Sequence, residues 1–148
     1  MGDVQDFPTS DGFIPSDEDR ASVAAWFAKY DAFAAKQDFE AMADMAMFPL
    51  NEVTDNGAGN GQAEQCSREQ YLAQMAQVMG GSGDDVTMQS TRTPHFISGG
   101  LVFVITEGTV TYGGQTQPMR YGDLLVKKDG QWLFQTMVQG GWGGNSDT

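Results

Sequence analysis

The sequence predicts an α+β domain, with helices in the N-terminal half and an antiparallel meander in the C-terminal half. Three observations carry that expectation. Ser16 followed by Asp17, Glu18 and Asp19 opens a helix with an aromatic stripe. Ser67 to Gln70 is a capping-box pattern that opens another. From Val86 onward the hydrophobic period changes from helical to strand-like, and Gly-Gly or Asp-Gly pairs separate runs rich in Val, Ile, Thr, Phe and Tyr.

In the first helix a hydroxyl can cap free N–H groups, and three carboxylates sit at the positive end of the helix dipole. The helix is expected to run to about Lys36, with Val23, Trp26, Phe27, Tyr30, Phe33 and Ala34 three and four apart on one apolar face. Asp38 caps a second, shorter helix in which Met42, Met45 and Ala46 lie together before Pro49 stops it. A strand is expected near Asn51 to Thr54, then a turn-forming run from Asp55 to Gly61. In the third helix Tyr71, Leu72, Met75 and Val78 face inward, and Gly80-Gly81 ends it. Residues 1–15 read as an arm with Phe7, Phe13 and Ile14, residues 16–139 as the domain, and residues 140–148 as a loose tail with Trp142.

The 148 residues suit one domain, and 40% hydrophobic residues with 11% aromatics supply a core. The longest apolar runs and the acidic N-terminus predict neither a membrane span nor a secretory signal. Twenty acidic against eight basic residues give a net charge of -12, which repels a phosphate backbone and argues against nucleic acid as a partner. Thirteen of the acids lie up to Glu64, mainly as a solvated helical face. One cysteine and one histidine exclude an internal disulfide and a Cys/His zinc cluster, so the expectation is a cytoplasmic chain without a metal site. Cys66 reads as structural. Gly80-Gly81-Ser82-Gly83 follows a helix and lacks a nearby lysine, so no nucleotide or other cofactor is expected.

If Gly99-Gly100, Gly113-Gly114 and Asp129-Gly130 are two-residue turns, the register of four strands follows. Phe96, Phe103, Leu124 and Gln135 then form one row, and Arg92, Glu107, Arg120 and Gln139 another on the same face. The opposite face carries His95, Val104, Asp123 and Thr136, beside Ile97, Val102, Leu125 and Phe134. Both faces hold large apolar residues, so both need a cover. The helices can cover one; a second copy of the chain, giving a homodimer, is the simplest cover for the other.

Three helices followed by a meander that closes with Arg120-Tyr121-Gly122-Asp123-Leu124-Leu125-Val126-Lys127-Lys128-Asp129-Gly130-Gln131-Trp132 resemble the SnoaL-like and ketosteroid-isomerase-like branch of the nuclear transport factor two superfamily, over roughly residues 17 to 139. The resemblance implies a cystatin-like cone: a strongly curved antiparallel sheet wrapped around the N-terminal helices, with an apolar pocket at one end and frequent dimerisation through the sheet. Members include isomerases, cyclases, dehydratases and epoxide hydrolases, and also domains that only bind or assemble.

Within that frame the Arg92, Glu107, Arg120 row offers either an arginine for an anionic ligand or a cross-strand ion-pair ladder. A glutamate held between two guanidinium groups is a poor proton acceptor. Family epoxide hydrolases use two aspartates around one arginine, whereas this row has two arginines around one acid, which argues against that reaction. Family isomerases use a first-helix tyrosine and pocket acids; Tyr30 matches the tyrosine by element, and Glu52 is a candidate base. Histidine changes charge near neutral pH, making His95 a candidate acid or base; Asp123 lies in the family-like strand, and because SnoaL-like cyclases use a pocket aspartate as acid/base, the resemblance makes it a candidate if its strand parity turns it into the cavity. Nine methionines with Trp26 and Phe27 suit a soft, greasy wall. The sequence therefore predicts a domain that binds a small hydrophobic or aromatic ligand. The alternatives are an acid/base isomerase, cyclase or dehydratase using His95, Asp123 and Tyr30, and a dimerisation module without catalysis.

Overall fold

The computed structural model describes residues 12–79 and 87–141. Three helices and a six-stranded mixed sheet make up the described residues: α1 (Asp17–Ala35), α2 (Phe39–Ala43), β1 (Ala46–Asp55), β2 (Gly61–Cys66), α3 (Arg68–Met79), β3 (Thr87–Ser98), β4 (Leu101–Tyr112), β5 (Gln115–Lys128) and β6 (Gln131–Gln139). The order across the curved, unclosed sheet is β2-β1-β6-β5-β4-β3. The expectations for Phe7, the Val78 side chain, Gly80-Gly81 and Trp142 lie outside the described residues.

The helix starts are where their caps predict. Ser16 Oγ accepts from the Asp19 N–H at 3.0 Å, and the Asp19 carboxylate accepts from the Ser16 N–H at 2.8 Å. The same reciprocal pair closes the start of α3, with the Ser67 N–H donating to Gln70 Oε1 at 2.8 Å and the Gln70 N–H to Ser67 Oγ at 3.2 Å. Each pair satisfies two N–H groups that have no partner within the helix.

The second helix is shorter than expected and ends at Ala43, so Ala46 and Pro49 belong to strand β1. Proline is tolerated there because the β1 pairing with β6 is interrupted between Ala46 and Asn51, around its missing N–H. The run after Leu50 holds a hairpin, β1 to β2, and not a turn alone. β1 also pairs in parallel with β6, a contact between segments about 85 positions apart that, with β2 paired on its other side, enlarges the expected four-stranded sheet to six.

The register agrees with expectation at one turn and departs at two. Across Gly113-Gly114, Glu107 faces Arg120 and Phe103 faces Leu124. In β3 the pairing shifts between Phe96 and Ser98, so Ile97 is an extra residue and Arg92 faces Thr106, not Glu107. In β6 the shift falls at Gln135, so Asp123 faces Met137, not Thr136. Each bulge moves the rest of its strand by one residue, and a one-residue slip exchanges the two faces.

The core lies on the concave side. Val102, Val104, Leu125 and Phe134 are buried there against Val23, Trp26 and Phe27 of α1. Two indoles fix the helix to the sheet: Trp26 Nε1 donates to the Trp132 carbonyl at 2.9 Å, and Trp132 Nε1 donates to Ser22 Oγ at 3.0 Å. Phe13 of the expected arm packs on Phe96, ring centroids 6.2 Å apart. Among the described residues, no helix is long and apolar enough to cross a membrane.

Candidate functional site

Between α1 and the concave face lies a cavity of about 260 Å³, bordered by Trp26, Phe27 and Tyr30 on the helix and by Arg92, Tyr121, Asp123 and Phe134 on the sheet. Four methionines, Met42, Met75, Met88 and Met137, complete much of its wall. The volume exceeds the roughly 150 Å³ that accommodates one benzene ring. A wider groove of about 590 Å³ runs along Trp26, Phe33 and Trp132, but its ionisable side chains, Lys29 and Asp44, are exposed.

Asp123 is the distinctive group in the inner cavity. It is 8% exposed, and burial pushes its carboxyl up from 3.8 to about 7, against a downward pull from the Arg92 charge. Its strand neighbours on the same face are Val104 and Met137, neither of which can solvate a carboxylate. The acid is thereby placed where a proton can leave or arrive near neutral pH.

Two phenols stand nearby. The Tyr30 and Tyr71 hydroxyls share a hydrogen bond of 2.6 Å. Burial first, and then Tyr71, pushes Tyr30 far above the ordinary phenol range; burial pushes Tyr71 up to about 12, with the Tyr30 hydrogen bond acting the other way. Both stay protonated at neutral pH, so when Tyr71 donates to Tyr30 the Tyr30 O–H is free for a molecule in the cavity.

Arg92 is held on two sides. Its terminal nitrogens form a bidentate pair with Asp31 at 2.7 and 3.1 Å, its guanidinium lies 4.3 Å from the centre of the Phe27 ring, and Tyr121 borders the same cavity beside it. Its Nε is buried without a partner, as is the hydroxyl of its cross-strand neighbour Thr106. Asp31, Arg92 and Phe27 also border a second hollow of about 440 Å³ between α1 and β3, so the ion pair stands between the two spaces.

The structure brings together five of the residues singled out from sequence: Trp26, Phe27, Tyr30, Arg92 and Asp123 all border the cavity. It does not bring in the others. Glu107 and Arg120 pair with each other at 2.8 Å, with side chains 52% and 74% exposed, on the face away from the cavity. The three-residue row is therefore two separate pairs, Arg92 with Asp31 and Arg120 with Glu107. His95 is exposed, faces Phe103, and lies on the opposite face from Asp123 because of the Ile97 bulge. Glu52 lies on β1, accepts from Gln74 Nε2 at 3.3 Å, and does not border the cavity. The correction to β3 also removes the basis for setting aside water activation: the cavity has one arginine between two aspartates, Asp31 and Asp123.

Sequence reasoning passed over Asp31, Tyr71 as a site residue, Tyr121 and Phe134. Asp31 was within reach, since it lies one helical turn after Phe27 on the stripe that faces the sheet. The Tyr30–Tyr71 contact joins residues 41 positions apart and has no local signature.

No family model matches the chain, and no curated protein does. Solved structures do. An NTF2-like protein of unknown function from Pseudomonas putida KT2440 superposes with a TM-score of 0.67 at 15% identity, covering 84% of this chain and 87% of that one. Aln2 from a Streptomyces species gives 0.63 at 19% identity, covering 84% and 91%. A candidate scytalone dehydratase from Novosphingobium aromaticivorans DSM 12444 gives 0.60 at 16% identity, covering 80% of each chain. A protein from Nostoc punctiforme PCC 73102 described as having a cystatin-like fold gives 0.61 at 11% identity, covering 84% and 92%. The chain thus has an α+β cone fold similar to that of these NTF2-like and cystatin-like structures.

Proposed function

We infer that this NTF2-like cone binds a small, largely apolar molecule in its inner cavity, with Asp123 as the polar contact. One observation carries the reading: a nearly buried carboxyl borders a hollow whose other walls are mostly aromatic rings and methionines. Such a wall accepts flat or irregular apolar shapes, and a single polar group fixes their orientation. The test is a melting-temperature screen of small aromatic compounds. Compounds that stabilise the chain are expected to lose that effect in Ala34→Phe, which fills part of the cavity, and to keep it in Glu107→Ala on the outer face. Stabilisation that survives Ala34→Phe unchanged contradicts the reading.

A second reading is supported by the titration of Asp123 near neutrality beside protonated phenols: an acid/base enzyme acting on such a ligand. Asp123 exchanges the proton, and Tyr30 donates to an oxygen on which charge develops. The name of the Novosphingobium neighbour speaks of a dehydratase, a reaction of this type, and the Asp31–Arg92–Asp123 arrangement leaves water activation open to the same site. Catalysis predicts a rate that turns on one ionisation near pH 7 and is lost in Asp123→Asn. A pH-independent rate in both proteins excludes Asp123 from the chemistry.

A further inference from the structure

We propose that the polar end of the cavity's ligand is a cation, an organic ammonium group that pairs with the Asp123 carboxylate against aromatic walls. The proposal rests on the ligand-binding reading above and specifies its chemistry.

Three of the cavity's border residues carry formal charge: Asp31, Arg92 and Asp123. Asp31 and Arg92 neutralise each other through two hydrogen bonds. The Arg92 charge is matched by Asp31, which takes up one N–H of each terminal nitrogen, so the pair as a whole brings no net positive charge to an anion. Asp123 is left without a matching cation. An anionic ligand would therefore meet an acid surplus, and a cationic one completes the balance.

The walls point the same way. Trp26, Tyr30 and Phe134 form a cluster with centroid separations of 5.4 Å (Trp26–Tyr30), 5.8 Å (Trp26–Phe134) and 5.4 Å (Tyr30–Phe134), and all three border the hollow with Phe27 and Tyr121. Aromatic faces attract cations, which offsets part of the loss of hydration on entering an apolar cavity. The net charge of -12 raises the local concentration of cations around the chain as a whole.

The pairing needs an ionised acid, which sets the pH dependence. The groups acting on Asp123 are Arg92 from β3, Tyr30 from α1 and Tyr71 from α3, with Tyr121 on its own strand bordering the same cavity. The phenols Tyr30 and Tyr71 stay neutral, and Arg92 stays charged and paired. Of these groups and the ligand, only the acid changes between pH 5.5 and 8.5, because an aliphatic amine remains protonated.

Three probes of one shape separate the cases: phenethylamine, 2-phenylethanol and phenylacetate, with affinity measured by calorimetry at pH 5.5 and 8.5. At pH 8.5 phenethylamine is expected to bind at least tenfold tighter than 2-phenylethanol, with phenylacetate weakest, and its affinity is expected to fall at least fivefold at pH 5.5. Asp123→Asn reduces the preference for amine over alcohol to twofold or less. Asp31→Asn, which frees the Arg92 charge, narrows the gap between amine and carboxylate without touching Asp123. Alcohol or carboxylate binding as tightly as the amine at pH 8.5 overturns the cation proposal and leaves the ligand-binding reading standing. Failure of all three probes to bind, with Asp123 intact, overturns both.

Discussion

Two arginines that share a predicted strand row have opposite fates. Arg92 is inside: its side chain is 22% exposed, it holds Asp31 with two hydrogen bonds, and its guanidinium carbon lies 4.3 Å from the centre of the Phe27 ring. Arg120 is outside: its side chain is 74% exposed, and it reaches Glu107 through one nitrogen. A single extra residue, Ile97, separates these outcomes by turning the N-terminal part of β3 over. The inner pair is sheltered on its Arg92 side only, since the Asp31 side chain is 50% exposed, and it helps set the charge in the cavity. The outer pair is a solvated cross-strand contact of the kind that stabilises little. Side-chain type thus said less about function here than the face on which the strand presented it.

The largest expected effect belongs to Asp123. Its carboxyl is at 3.8 when unperturbed and at about 7 when folded, so between those values the native chain holds a proton that the unfolded chain has released. The stability this proton confers is fully present below pH 4 and is lost as pH rises through about 7. The full loss is on the order of 4 kcal/mol. Asp123→Asn is expected to match wild type in denaturant melts at pH 4 and to exceed it at pH 8. Equal stability of the two proteins at pH 8 would show that the acid is not buried.

Next comes Arg92→Ala, expected to cost about 2 kcal/mol through loss of the bidentate pair and the ring contact. That corresponds to a fall of roughly 4–8 °C in melting temperature for a chain of this size. It should also raise the Asp123 midpoint further, since Arg92 holds it down. A midpoint that stays still or falls in Arg92→Ala would remove the electrostatic link between the two.

Deleting Ile97 sharpens the comparison. The deletion leaves Phe96 opposite Val102 and Arg92 opposite Thr106, so the inward face is retained and ligand binding changes less than threefold. Loss of the Arg92 pair with Asp31 in the deletion variant would contradict the placement of the extra residue at Ile97. The smallest effect is that of Arg120→Ala, about 0.5 kcal/mol and shrinking as salt is added. A loss of about 2 kcal/mol that ignores salt would mean that the outer pair is not the exposed contact it is taken to be.

Legibility in the sequence followed the range of the interactions. Caps at Ser16 and Ser67 and the Gly113-Gly114 turn act within a few residues, and the sequence states them directly. The cone itself was legible through resemblance, and its aromatic helix wall through the spacing of Trp26, Phe27 and Tyr30. The bulges were not, because an extra Ile97 or Gln135 looks like any other strand residue and is fixed by pairing with the neighbouring strand. The parallel pairing of β1 with β6 brings Asn51 beside Thr136, a closure that no local pattern encodes. Asp123 was legible as a residue, but its burial beside Met137 and Val104 depended on sheet curvature and register together.

The most direct measurement is the titration of the Asp123 side-chain carboxyl carbon by NMR in the folded chain. A midpoint near pH 7 is expected, moving downward when phenethylamine is bound. A midpoint near pH 4, unmoved by the amine, would contradict a buried acid at the heart of the cavity.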